Sequence, residues 1–245
     1  MPEQPTKERN PRRDSGPRLI ERDLDALKWI AQQYAIRLDH LCVLLARLIE
    51  PGAYAQAPKT TGQLTEKRAT AIVKRWETLG LVERAWILYN EPPWIALTPE
   101  GLRLVSEELG ELRPYTPTPA KLNHLYHINL TRLLIEARRP GIHWVSEREI
   151  RASQGKTQQG VKRPHTPDAI VQTNSKQIAV EVELSTKIHA RLDKILHELA
   201  LSADYHTVWY FCKGRANTVI HTAINAMQEM YRGKFVIYKL DDMHL

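Results

Sequence analysis

Three carboxylates on two β-rich segments offer the clearest chemistry in the chain: Asp168 in Thr166-Pro167-Asp168-Ala169-Ile170-Val171, and Glu181 and Glu183 in Val180-Glu181-Val182-Glu183-Leu184. Successive side chains of a strand point to opposite faces, so Glu181 and Glu183, two apart, share one face. If the strand carrying Asp168 pairs alongside, all three converge on one point. Converging carboxylates repel unless a cation lies between them, and hard oxygen donors suit Mg²⁺ or Mn²⁺. A metal so held lowers the pKa of a bound water and serves phosphodiester cleavage, with Asp168, Glu181 and Glu183 as ligands. The same spacing also suits a solvated strand face on which Val and Leu alternate with polar residues.

The distribution of charge favours a polyanionic partner. The 245 residues carry a net charge of +7, and the excess is not spread evenly. Residues 113–245 hold 19 Lys/Arg against 12 Asp/Glu, whereas residues 21–112 hold 11 against 13. A small acidic patch in a basic surround suits a site that must hold a cation and also admit phosphates. No run of about 18 apolar residues is present, so no membrane span is expected, and the N-terminus lacks the apolar core of a signal peptide. Cys42 and Cys212 sit in apolar periodic segments and read as buried thiols of a reducing cytoplasm. The absence of a Gly-rich phosphate loop, a Ser-His-Asp signature or a cofactor lysine motif argues against a small-molecule enzyme.

The elements that position these residues fall into two groups. Residues 1–18 are rich in Pro and Arg and read as a disordered basic arm. Over 19–110, helices are expected from Glu21, around Asp39–Ile49, and from about Gln63 or Thr65 to Leu79, with Gly80 as C-terminal cap and Pro51–Gly62 as a loop. Two short strands, Leu81–Leu88 and Trp94–Leu97, come next, and Thr98-Pro99-Glu100 starts a further helix. Three helices, a hairpin and a closing helix form the order of a winged helix-turn-helix domain, whose recognition helix enters the major groove of double-stranded DNA. The third helix buries Ile72, Val73, Trp76 and Leu79 and shows Lys67, Arg68, Thr70, Ala71, Lys74 and Arg75. Lys67, Thr70, Ala71 and Lys74 form one stripe at spacings of 3 and 4, flanked by Arg68 and Arg75.

Residues 111–119 carry three prolines and read as a linker. The second domain, 120–245, opens with a helix at about Ala120–Ala137. Strands follow at about His143–Arg151, Thr166–Gln172 and Gln177–Leu184, then a helix at Thr186–Leu201, a strand at His206–Cys212, a helix at Ala216–Tyr231 and a strand at Lys234–Leu240. The polar stretch Ala152–Arg163 reads as a mobile loop facing a ligand.

This α/β arrangement of α-β-β-β-α-β, with aspartate on the second strand and acidic-X-acidic on the third, resembles the restriction-endonuclease-like PD-(D/E)XK superfamily. The motif stands here as Pro167-Asp168 and Glu181-Val182-Glu183. Where that superfamily typically places lysine, this chain has Glu183. Lys187, four residues on, can bring an ammonium back to offset charge developing on phosphorus. The resemblance also implies a fourth acidic ligand from an earlier element. Glu147 and Glu149 on the first strand rank ahead of Glu136 on the first helix, since their strand should border that of Asp168.

A closer resemblance covers most of the chain. The winged-helix half, joined to Arg-Pro-His-Thr-Pro-Asp-Ala-Ile-Val (163–171), Ile-Ala-Val-Glu-Val-Glu-Leu-Ser-Thr-Lys (178–187), Arg-Leu-Asp-Lys-Ile-Leu (191–196) and Val208-Trp209-Tyr210-Phe211-Cys212, is similar to the replication-relaxation family of plasmids and integrative elements. It implies a bacterial DNA-binding protein of plasmid replication and DNA relaxation; with the carboxylate cluster as metal ligands, one reading is metal-dependent nicking of DNA. The implied partners are double-stranded DNA and other replication or relaxosome proteins, with a homodimer compatible. The alternative is a non-catalytic regulator or relaxosome accessory factor whose nuclease-like domain only grips DNA.

Overall fold

The computed structural model describes residues 18–48, 63–154, 165–173, 176–186 and 189–243. The arm expected over 1–18 therefore lies, but for Arg18, outside the described residues. So do the whole Pro51–Gly62 loop, most of Ala152–Arg163, and Lys187. The fold is mixed α/β, with two open sheets.

In the first half, α1 (Glu21–Gln32), α2 (Leu38–Arg47) and α3 (Glu66–Thr78) bury Leu27, Ile30, Leu41, Leu45, Val73 and Trp76 in a shared core. A three-stranded antiparallel sheet closes one side, in the order β1 (Ala35–Arg37), β3 (Trp94–Leu97), β2 (Val82–Ala85). β1 is a strand that periodicity does not announce. The α3 terminus is fixed by a pair of backbone bonds around Gly80 at φ +70°: Leu81 N–H to Trp76 O and Gly80 N–H to Glu77 O, both 2.9 Å. This is the Schellman arrangement, which only a residue free to adopt positive φ closes without strain. Thr98 caps α4 (Pro99–Leu104), its Oγ1 accepting from Gly101 N–H at 3.1 Å, and a short α5 (Ser106–Leu109) follows.

The second half begins with α6 (Pro119–Arg138) and builds a five-stranded sheet in the order β4 (His143–Ser146), β5 (Ala169–Gln172), β6 (Gln177–Glu183), β7 (Thr207–Cys212), β8 (Phe235–Lys239). β4, β5 and β6 pair antiparallel; β6, β7 and β8 pair parallel. Helices α8 (His189–Leu201) and α9 (Arg215–Ala226) cover one face through Leu192, Leu196, Ile220 and Ile224, and α6 covers the other through Ile135. Burial on both faces explains why β6 reads as a near-continuous apolar run broken only by its two glutamates.

The expected strand over His143–Arg151 stops at Ser146, and α7 (Glu147–Ser153) takes over. Ser146 accepts from Glu149 N–H while the Glu149 carboxylate accepts from Ser146 N–H at 2.9 Å, a reciprocal cap that starts a helix where alternation suggests a strand. The helix expected over Ala216–Tyr231 likewise breaks at Met227, giving α9 and α10 (Glu229–Arg232).

The two halves are not beads on a string. Leu133 of α6 belongs to the first core, and Leu122 and Leu125 pack on Ala35, Trp94 and Ala96. Asn129 Nδ2 donates to Ala35 O at 2.8 Å, and Arg148 of α7 donates to Ala31 O at 2.5 Å. Helix α6 is thus a wall common to both cores.

Candidate functional site

β5 begins one residue after Asp168, while β6 continues three residues past its last position paired with β5, to Glu183. Asp168 turns at this step. Its Oδ2 accepts from Val182 N–H at 2.8 Å, its Oδ1 lies 3.2 Å from His124 Nε2, and its carbonyl accepts from Glu147 N–H at 3.0 Å. One residue therefore ties the end of β6, the start of α7 and the face of α6 together.

Strand alternation puts Glu181 and Glu183 on the same face as Ala179, and parallel pairing sets them beside Tyr210 and Cys212 of β7. Both glutamates are buried, at 3% and 6% exposure. A buried carboxylate needs compensation. His165 Nε2 lies 2.7 Å from Glu181 Oε1, and the His165 backbone N–H donates to Glu198 of α8 at 2.9 Å. Ser185 N–H approaches Glu183 Oε1 at 3.4 Å. Burial, reinforced by the charges of Glu181 and Glu183, holds the Tyr210 phenol well above its ordinary pKa, so it stays neutral.

These groups line one cleft of about 660 Å³, which gathers Glu147, Asp168, Glu181 and Glu183 with His124, His165, Arg151 and Arg191. Burial opposes a charged His124 imidazole, but the hydrogen bond to Asp168 and the charges of Asp168, Glu147 and Glu183 outweigh it and raise its pKa. A broader hollow of about 1050 Å³ lies at the opposite end of the sheet beside Thr173, Asp204 and Lys234, and holds none of the candidate residues. There Lys234 donates to the carbonyls of Ala200 and Ser202 at 3.0 and 2.6 Å, satisfying the end of α8.

Of the expected fourth acids, Glu147 alone lines the cleft, with its carboxylate 2.6 Å from Arg151 and 3.5 Å from the Tyr34 hydroxyl. Glu149 does not share a strand face with it. It is the capping residue of α7 and also accepts from Gln32 Nε2 at 3.1 Å. Glu136 pairs with Arg132 at 2.6 Å and accepts from Trp29 Nε1 at 3.1 Å, in the wall between the halves. Among the described residues, no three His, Cys, Asp or Glu side chains are grouped closely enough to hold a metal ion. The donors are nevertheless hard carboxylate oxygens, the type that Mg²⁺ or Mn²⁺ requires.

On α3, Lys67, Arg68, Ala71 and Lys74 are exposed and Thr70 is half-buried. Arg75 differs: its guanidinium is bound to the fully buried Asp23, which also pairs with Arg22 at 2.9 Å and accepts from Ile20 N–H at 3.1 Å. Arg75 holds α3 to α1.

Sequence reasoning missed His124, His165, Arg151 and Arg191. His165 stands three residues before Asp168 in the motif itself, which is a usable signal. His124 is 44 residues away and reaches Asp168 only because α6 crosses the sheet. No helix of the described residues is long and apolar enough to cross a membrane. Compared with family models, curated proteins and solved structures, the chain matches none of them.

Proposed function

We propose that this chain is a DNA-binding protein that processes DNA in the cleft at the end of β6. The single observation that carries the reading is that Asp168, Glu181, Glu183 and Glu147, from three separate elements, line that one cleft beside Arg151 and Arg191. Buried carboxylates are costly and are retained in a cleft chiefly where charge has work to do. The first half then serves as a winged helix-turn-helix domain presenting Lys67, Arg68, Thr70 and Lys74 to a duplex, and the second as a restriction-endonuclease-like domain. The family resemblance supports a place in plasmid or mobile-element replication and DNA relaxation, in the cytoplasm, alongside other replication proteins.

Asp168, Glu181 and Glu183, with Glu147, are the residues that would hold Mg²⁺ or Mn²⁺. The ion would supply a water of lowered pKa and a counter-charge for the phosphate. Asp168 fixes the end of β6 against α7, so the carboxylates enter the cleft at a set depth. Arg151 and Arg191 orient the phosphodiester, and His124, held by Asp168, lines the same cleft. Lys187 lies outside the described residues and carries no part of this geometry.

A second reading, a scaffold that grips DNA without cutting it, is favoured by Glu183 standing where a lysine is typical and by the imidazoles already bound to Asp168 and Glu181. Supercoiled plasmid incubated with protein and Mg²⁺ or Mn²⁺, with EDTA and Asp168→Ala as controls, separates the two. Cleavage predicts relaxed circles that need both the metal and Asp168, with duplex affinity unchanged in Asp168→Ala. Supercoils left intact beside a gel shift would leave the scaffold.

A further inference from the structure

Of the large hydrophobic side chains exposed in the described residues, three lie within four positions between β2 and β3: Trp86 at 66% exposure, Leu88 at 39% and Tyr89 at 94%. Asn90 follows at φ +59°, a left-handed turn that asparagine tolerates. Aromatic surface concentrated at a hairpin tip, and not taken into either core, marks a contact surface.

What anchors the tip selects its partner. The Arg84 guanidinium lies 4.9 Å from the centre of the Trp86 ring and forks onto Glu77 of α3 at 3.2 and 3.0 Å. Trp86 is therefore braced on one side, with most of its surface open to solvent. Glu77 lies one helical turn beyond Lys74, so the ring is held beside the α3 face that shows Lys67, Arg68 and Lys74. Two of the neighbouring acids are paired, Glu77 with Arg84 and Glu91 with Arg37 at 3.2 Å, while Glu83 of β2 is exposed. The neighbourhood combines free cations with flat apolar rings. A nucleic acid strand with unpaired bases has the matching pair of surfaces, phosphates for the lysines and base faces for the rings. An intact duplex hides its base faces in the stack.

We infer that the β2–β3 hairpin is a base-stacking surface, on which Trp86 and Tyr89 receive unpaired bases next to a duplex held by α3. The inference rests on the DNA-binding reading of α3 and adds a preference for locally melted DNA.

The test uses the full chain and three fluorescein-labelled DNAs of one sequence: a duplex, the same duplex with a central unpaired bubble, and the single strand. Affinities are read by anisotropy, and thermal melts confirm that variants fold. The wild type is expected to bind the bubble roughly tenfold or more tighter than the duplex, as stacking of one or two bases implies. Trp86→Ala/Tyr89→Ala should erase that difference and leave duplex affinity unchanged. Quenching of tryptophan fluorescence by the bubble, lost in Trp86→Phe, would support direct stacking. Equal wild-type affinity for duplex and bubble overturns the inference but leaves duplex binding in place. An unchanged preference in the double variant also overturns it, as it would if the tip instead met a protein partner. Failure to bind any of the three DNAs overturns both this inference and the DNA-binding reading.

Discussion

The α3 face and the β6 cleft are both clusters of charge, and they are built in opposite ways. Lys67 and Lys74 stand in solvent on one turn-to-turn stripe with Arg68 beside it, each placed by helical spacing alone. Glu181 and Glu183 are buried, and the groups that accompany the cleft carboxylates come from α6, α7, α8 and the segment before β5. An exposed lysine remains hydrated and costs the fold little, so it is free to meet a phosphate. A buried charge must bring its own partners and is rigid as a result. The molecule thus sets hydrated charges on α3 apart from tightly held ones at β6, and α6 and α7 lock the two halves together.

The lock gives the largest effect that could break this comparison. Arg132 of α6 is buried between the Trp29 and Trp144 rings, at 4.5 and 5.7 Å. It pairs with Glu136 at 2.6 Å and donates to Gln32 Oε1 at 2.8 Å. Arg132 is buried and Glu136 half-buried with Trp29 Nε1 as a second partner, so Arg132→Ala should lose about 2–4 kcal/mol in urea unfolding at neutral pH. A loss under about 1 kcal/mol would mean that buried and exposed charges differ little here, and the comparison would fail.

His40 on α2 extends the contrast to pH. It is stacked on Tyr126 at 4.3 Å, and burial pushes its pKa down to about 4, with Arg37 and His127 adding to the fall and Asp39 opposing it. The folded pKa lies below the unfolded value near 6.5, so between those two pH values the unfolded chain takes up the proton first. The neutral imidazole's contribution is complete above pH 6.5 and is lost as pH falls towards 4, roughly 3 kcal/mol in all. Urea midpoints at pH 7, 5.5 and 4.5 should drop in the wild type more steeply than in His40→Leu. Parallel slopes would show that the ring already takes up its proton in the folded state.

Local signals carried much of this architecture. Gly80, the Thr98-Pro99 start and the i, i+2 glutamates of β6 each act within a few residues, and the structure keeps all of them. What was hidden depends on longer reach or on two local rules in conflict. In His143–Arg151, Trp144, Ser146, Arg148 and Ile150 are all buried with a period of two, which reads as a strand. The Ser146–Glu149 cap nonetheless makes its second half a helix, because reciprocal capping satisfies donors that an unpaired strand end would leave open. β1 is three residues long, too short for any period to declare. His124 of the cleft required knowing where α6 crosses the sheet, which spacing does not contain. For the same reason the basic face of α3 was read as one set, although one of its members belongs elsewhere.

That member gives the smallest and sharpest test. Lys74 and Arg75 are neighbours with the same charge, and only Lys74 points into solvent, while Arg75 holds the buried Asp23. If exposure decides the role, Lys74→Ala should weaken duplex binding by about 1–2 kcal/mol, lower the slope of log affinity against log salt by about one, and leave the urea midpoint alone. Arg75→Ala should do the reverse. It leaves Asp23 with Arg22 as its remaining cation, so a loss of about 1–3 kcal/mol in stability is expected with the salt slope retained. Arg75→Lys restores charge but not the planar fork, and should recover only part of that loss. Equal effects of the two alanine variants on DNA binding would show that Arg75 leaves Asp23 to reach phosphate, and the line between holding the fold and holding DNA would then run through a single side chain.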